Sequence, residues 1–174
     1  MSEPMVLSPS VVGLLNDAGA RFLQTPEDEI RIVFSDVGLL LTTEDSGPVI
    51  MRWERGESPT PVLRAASIAD LERYLVWDAG RIARRRLGLN RIRLPWKLGQ
   101  EAAGSTLLDR GEGWFVLEVA GPAEAPRRIE LLTSGGDDAV RFSHVASVPV
   151  EELVASYRDA DGKPALEPFV LDSP

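Results

Sequence analysis

Strand-like runs follow one another in this chain with only turns between them. Residues 29–36 (EIRIVFSD) alternate, residues 39–42 read as a second run, Glu44-Asp45-Ser46-Gly47 turns the chain, and residues 49–53 return. The second half carries three more runs, 114–119, 129–132 and 140–145, with residues 106–109 as a further candidate. Gly135-Gly136-Asp137-Asp138 reads as a hairpin turn between the last two runs. Parallel strands would need crossover helices at regular intervals, and none are spaced that way. The expected class is α+β: an antiparallel sheet of about six to eight strands packed by two or three helices.

The helices are marked by their ends. Ser8-Pro9 supplies a hydroxyl cap and a proline at the first helical position, Val11, Leu14, Leu15 and Ala18 recur at helical spacing, and Gly19 closes the run. Ser67 caps a second and longer helix that ends at Gly88. Residues 147–158 form a third, with Glu151 and Glu152 placed to favour its dipole. Residues 56–61, with two prolines, and residues 98–104, with no period, read as loops. Residues 91–94 read as a short extended piece, Asp161-Gly162-Lys163-Pro164 as a turn, and residues 169–171 as a tail folded back on the body.

A length of 174 residues points to one domain over 1–174. The absence of cysteine rules out disulfides and cysteine chemistry, and suits a reducing cytoplasm. The N-terminus has no basic region and an early Glu3, so no leader is expected, and no apolar run approaches the roughly 18 residues of a membrane span. A net charge of −8 argues against nucleic acid as the main partner. The expected location is cytoplasmic, with no membrane partner.

Catalytic signatures are missing. The single histidine, His144, shares an alternating face with Val140, Phe142 and Ala146, and is expected to be a satisfied core residue. One histidine and no cysteine cannot make a zinc set, and neither phosphate-cradling glycine motif occurs. The chain is therefore expected not to be an enzyme, with no catalytic, metal or cofactor residues and no small-molecule substrate.

What stands out is residues 67–97, with eight basic residues to three acidic ones, against 11 basic and 24 acidic elsewhere. At 100° per residue Ile68, Leu71, Leu75, Ala79 and Ile82 form an apolar stripe, and Arg73, Trp77, Arg81 and Arg84 fall opposite. Tryptophan stacked between arginines makes a candidate binding face; the plainer alternative is that a second layer covers it and Trp77 is core. The loop after it, Trp96-Lys97-Leu98-Gly99-Gln100-Glu101, joins an aromatic anchor to polar groups on flexible backbone, with Trp96, Lys97 and Gln100 as candidate contacts. Its plainer alternative is a connector with Trp96 folded inward.

The stretch LERYLVWDAGRIARRRLGLNRIRLP, then GWFVLEV, then VASVPVEELVASYRDADGKPAL resembles a family of small bacterial immunity proteins. That family includes the mycobacterial antitoxin against the tuberculosis necrotizing toxin, a secreted NAD glycohydrolase. The resemblance spans about residues 67–166 and departs at Ala165, which stands between Pro164 and Leu166 where the apolar residue would be expected to follow the proline directly. It implies a cytosolic antitoxin that binds a folded toxin catalytic domain, as a 1:1 heterodimer, and blocks its NAD site. The competing reading from composition alone is a secretion chaperone, which would hold an extended segment instead. The rival contact candidates on this chain are the acidic turns at Glu44-Asp45 and Asp137-Asp138.

Overall fold

The structure, a computed structural model, describes residues 5–23, 29–120 and 125–171. The reading of the N-terminus as leaderless bears partly on residues 1–4, which lie outside them.

Among the described residues, eight strands form one antiparallel sheet. In chain order they are β1 (Arg21–Leu23), β2 (Ile30–Phe34), β3 (Val37–Glu44), β4 (Gly47–Glu54), β5 (Thr60–Arg64), β6 (Ser105–Gly111), β7 (Trp114–Val119) and β8 (Arg127–Leu132). Their order across the sheet is β1-β2-β3-β4-β5-β8-β7-β6. Two meanders, β1 to β5 and β6 to β8, thus meet at the β5–β8 seam, where Leu63 faces Leu131 and Arg64 faces Glu130. The expected α+β class is what the chain adopts.

One face of the sheet is apolar because alternate residues along each strand point the same way. Ile32, Leu39, Leu41, Ile50, Leu63, Leu117, Ile129 and Leu131 are buried there. Helix α2 (Ile68–Arg86) lies over this face against β4, and packs against both α1 (Pro9–Asp17) and α4 (Val150–Arg158). The short α3 (Asp137–Ser143) packs on β6 and β7. Burial of α2 is far wider than one stripe. Tyr74, Val76, Trp77, Gly80 and Arg84 are buried as fully as Leu71, Leu75 and Ala79, whereas Ile68 and Ile82, on the expected apolar stripe, are only half-buried. Gly80 permits the contact with α4: a Cβ there would sit 2.4 Å from the Tyr157 ring. The helix ends in a Schellman arrangement, with Leu89 N–H donating to Arg84 O (2.9 Å), Gly88 N–H donating to Arg85 O (3.2 Å) and Gly88 at φ +71°.

Two expectations fail on the fold. Residues 140–145 are not a strand: 137–143 are helix, and the Gly135-Gly136 pair, at φ +73° and +80°, leads into it without a hairpin. Asp137 and Asp138 occupy its first turn and both bond Arg141, four and three residues on, a spacing only a helix brings together. The loop expected over 56–61 is shorter, because β5 begins at Thr60 and includes Pro61. Pro61 lies opposite Met51, next to a register shift between Ile50 and Met51, and irregular pairing tolerates its missing N–H. The short β1, exposed at all three residues, gave no alternating signal. The extended piece at 91–94 and the returning tail do pair with each other, through an Ile92–Val170 bridge and an Arg93 N–H to Phe169 O bond of 2.8 Å.

Candidate functional site

The loop Trp96–Glu101 is exposed along most of its length, and its backbone is held from within and from below. Gln100 N–H donates to Lys97 O (3.0 Å), Lys97 N–H donates to Gln100 Oε1 (3.3 Å), and Gly99 N–H donates to Glu101 Oε1 (3.0 Å). Beneath it, Ala102 N–H donates to Ser143 Oγ (2.9 Å), which itself donates to Val140 O (2.7 Å). His144 Nε2–H donates to Gln100 O at 2.8 Å, and its ring meets Phe169 edge-on at 5.5 Å. His144 is therefore satisfied, but it is a half-buried residue at the loop's base and not a core residue of a strand. Of the loop's side chains, Trp96 is 41 % and Leu98 60 % exposed, and Lys97 Nζ lies 5.7 Å from the Trp96 ring centroid.

Trp96 borders a cleft of about 360 Å³ whose walls include Trp77, Arg81, Arg93, Leu94, Arg141 and Tyr157. Trp77 is buried at 3 % exposure, packed on Tyr74 and Phe142 at ring separations of 5.3 and 5.9 Å. Arg81 places its guanidinium carbon 5.9 Å from the Trp77 ring centroid and pairs with Asp78 at 3.5 Å. Burial holds the Asp78 carboxyl above the usual aspartate range, against the pull of Arg81 and Arg52. Burial likewise raises the Tyr74 and Tyr157 phenols, so both stay neutral throughout the physiological range.

The structure thus brings Trp77, Arg81 and Trp96 together, with Lys97 and Gln100 on the adjoining loop. It places Arg73 and Arg84 elsewhere. Arg73 sits near the N-terminal end of α2, bonded to Asp70 (2.9 Å) and to Val148 O (2.7 Å). Arg84, at 2 % exposure, points inside and donates to the carbonyls of Asn90 (2.6 Å), Ser156 (3.1 Å), Asp159 (2.6 Å) and Ala160 (3.1 Å). Burial lowers the pKa of both guanidiniums from the ordinary arginine value. Sequence reasoning missed Arg93, Arg141 and Tyr157 as cleft walls. The Asp137, Asp138, Arg141 spacing was the signal that would have put Arg141 on a helix facing it.

Among the described residues no group of three His, Asp or Glu side chains gathers as a metal site, and no helix is long and apolar enough to cross a membrane. Cations, an exposed indole and an exposed apolar side chain on a braced loop are what a recognition surface needs. The fold is α+β, and it brings this loop and the Trp96 cleft together on one surface.

The family model for immunity protein 61 matches residues 14–165, and the chain belongs to that family. The immunity-protein resemblance read from its motifs is thereby shown. No curated protein matches the sequence. Among solved structures it is similar to Rv3902c from M. tuberculosis, with a TM-score of 0.77 and 21 % identity, over 95 % of this chain and 94 % of that one. At that identity the likeness speaks for the fold.

Proposed function

We propose that this chain is a cytoplasmic antitoxin that binds the folded catalytic domain of a toxin one to one and covers its substrate site with the loop Trp96–Glu101. Membership of the immunity protein 61 family over residues 14–165 is the observation that carries this reading. The toxin is an NAD glycohydrolase, as the motif resemblance implies, and inhibition is by occupancy, without turnover by the antitoxin.

The geometry supports the choice of loop. A plug must reach into a concave site and must not collapse on contact. This loop is closed by its own hydrogen bonds and braced by Ser143 and His144, which lowers the ordering cost of binding. Its contacts would be Trp96, Lys97 and Gln100, with Arg81 at the flank. The Asp137-Asp138 rival is less suited, because both carboxylates already serve Arg141.

The test is NAD hydrolysis by the purified toxin domain titrated with wild-type protein and with Trp96→Ala, Lys97→Ala and Gln100→Ala. At least one substitution is expected to weaken inhibition by about 2 kcal/mol or more, as hot-spot residues do, with the melting temperature unchanged. Full inhibition by all three variants would remove the loop from the mechanism. Failure of the wild type to inhibit would remove the NAD glycohydrolase.

A further inference from the structure

Next to the Trp96 cleft lies a second one, of about 670 Å³, at the C-terminal end of α2. The two share Arg81, Ile92 and Tyr157 in their walls and so adjoin. The second has an apolar floor of Ile82, Leu89, Ile92 and Tyr157, and a rim that includes Arg85 and Arg91. Arg85 and Arg91 are exposed, as is Arg93 just beyond the rim. Among the described residues none of these three pairs with a carboxylate, although acids outnumber bases 27 to 19 along the chain and other arginines are paired with acids. Three like charges held at a helix end and an adjacent strand-like segment repel one another. The dipole of α2, negative at this end, offsets that only in its last turn, where Arg85 sits.

We propose that this arginine-rimmed cleft is the docking site for a carboxylate-bearing segment of the toxin domain, one that also carries an apolar side chain. Arginine matches carboxylate in a planar, two-pronged geometry, and the apolar floor gives the segment's side chain somewhere to go. A nucleic acid fits poorly, because the rest of the chain is strongly acidic and would repel a long polyanion. The segment's identity as part of the toxin rests on the antitoxin reading above, and the cleft's preference for carboxylates does not. In this arrangement the cleft supplies orientation and fast encounter, while the neighbouring loop supplies the block.

The experiment has two arms. In the first, association of the toxin domain is followed for wild type, R85E/R91E and R85K/R91K. The charge reversal is expected to slow association by about tenfold or more at low salt and to speed dissociation as the two-pronged contacts are lost, and the difference in association should vanish near 1 M salt, where the screening length is roughly 3 Å. The lysine variant is expected to keep most of the rate and serves as the folded control. An unchanged or faster association of R85E/R91E would overturn the proposal. In the second arm, short poly-L-glutamate and an oligouridylate are titrated into the protein alone at low salt. Poly-L-glutamate binding that R85E/R91E abolishes is the expected result, and it stands even if the toxin domain itself fails to bind, which would instead count against the antitoxin reading. No glutamate binding, or tighter binding of the oligouridylate, would overturn it.

Discussion

The two ends of α2 use arginine in opposite ways. Near the N-terminal end Asp70 is fully buried and takes hydrogen bonds from Ser67, Arg73 and Arg127, while Arg127 and Arg73 spend further donors on the carbonyls of Ala146 and Val148. Every charge there has a partner inside the protein. At the C-terminal end one arginine turns in and its neighbour turns out. Arg84 serves the carbonyl of Asn90 and those of Ser156, Asp159 and Ala160 around the end of α4, whereas Arg85 and, beyond the helix, Arg91 are exposed with no carboxylate partner among the described residues. The difference teaches that charge density along a sequence says nothing by itself about surface. What decides is whether the fold puts acceptors within reach.

The contrast can be broken most sharply at Asp70. Asp70→Ala leaves Arg73 and Arg127 without their shared carboxylate, and should lower unfolding free energy by about 3–5 kcal/mol, measured by denaturant melts. A loss well under that would mean the N-terminal charges are solvated after all. Arg84→Ala should follow at about 2–3 kcal/mol, since several inward-facing carbonyls lose their donor and only some can recover water. Arg85→Ala, one residue on, should change stability by no more than about 0.5 kcal/mol. If Arg84 and Arg85 behaved alike, the contrast between the two would collapse. The smallest effect is expected at Asp78, whose carboxyl is held above its ordinary range mainly by burial. Ionising it in the folded state therefore opposes folding, and this penalty grows as pH rises from the ordinary aspartate range through the raised value. Asp78→Asn should give a slightly higher melting temperature at neutral pH, with the gain disappearing in acid, below the range of a free aspartate.

Much of the architecture was legible because it rests on local signals. Turn clusters with alternating runs announced β3, β4 and β7, and Ser67 and Gly88 bracketed α2 within two residues of each end. The failures have physical causes. The run at 140–145 alternates like a strand, and only the pairing of Asp137 and Asp138 with Arg141 separates helix from hairpin. The face of α2 opposite its apolar stripe read as a binding surface because periodicity reports one covered side. α4 takes up Arg84 and Phe142 of α3 packs on Trp77, so both go inside. Of the candidate site, Trp96 and its loop stood out through composition. Arg93, Arg141 and Tyr157 come from three distant segments, and nothing local could have joined them.

Ser143 and His144 fix the backbone of the loop 96–101 without belonging to it. Shape and content are thereby uncoupled. The side chains at 96, 97 and 98 can be exchanged while the bonds that hold the turn run through its backbone, Gln100, Glu101 and His144. A protein that must track a changing opponent gains from such a separation. New contacts can be tried at the tip one residue at a time, each judged on recognition alone, with the scaffold's stability left out of the trial.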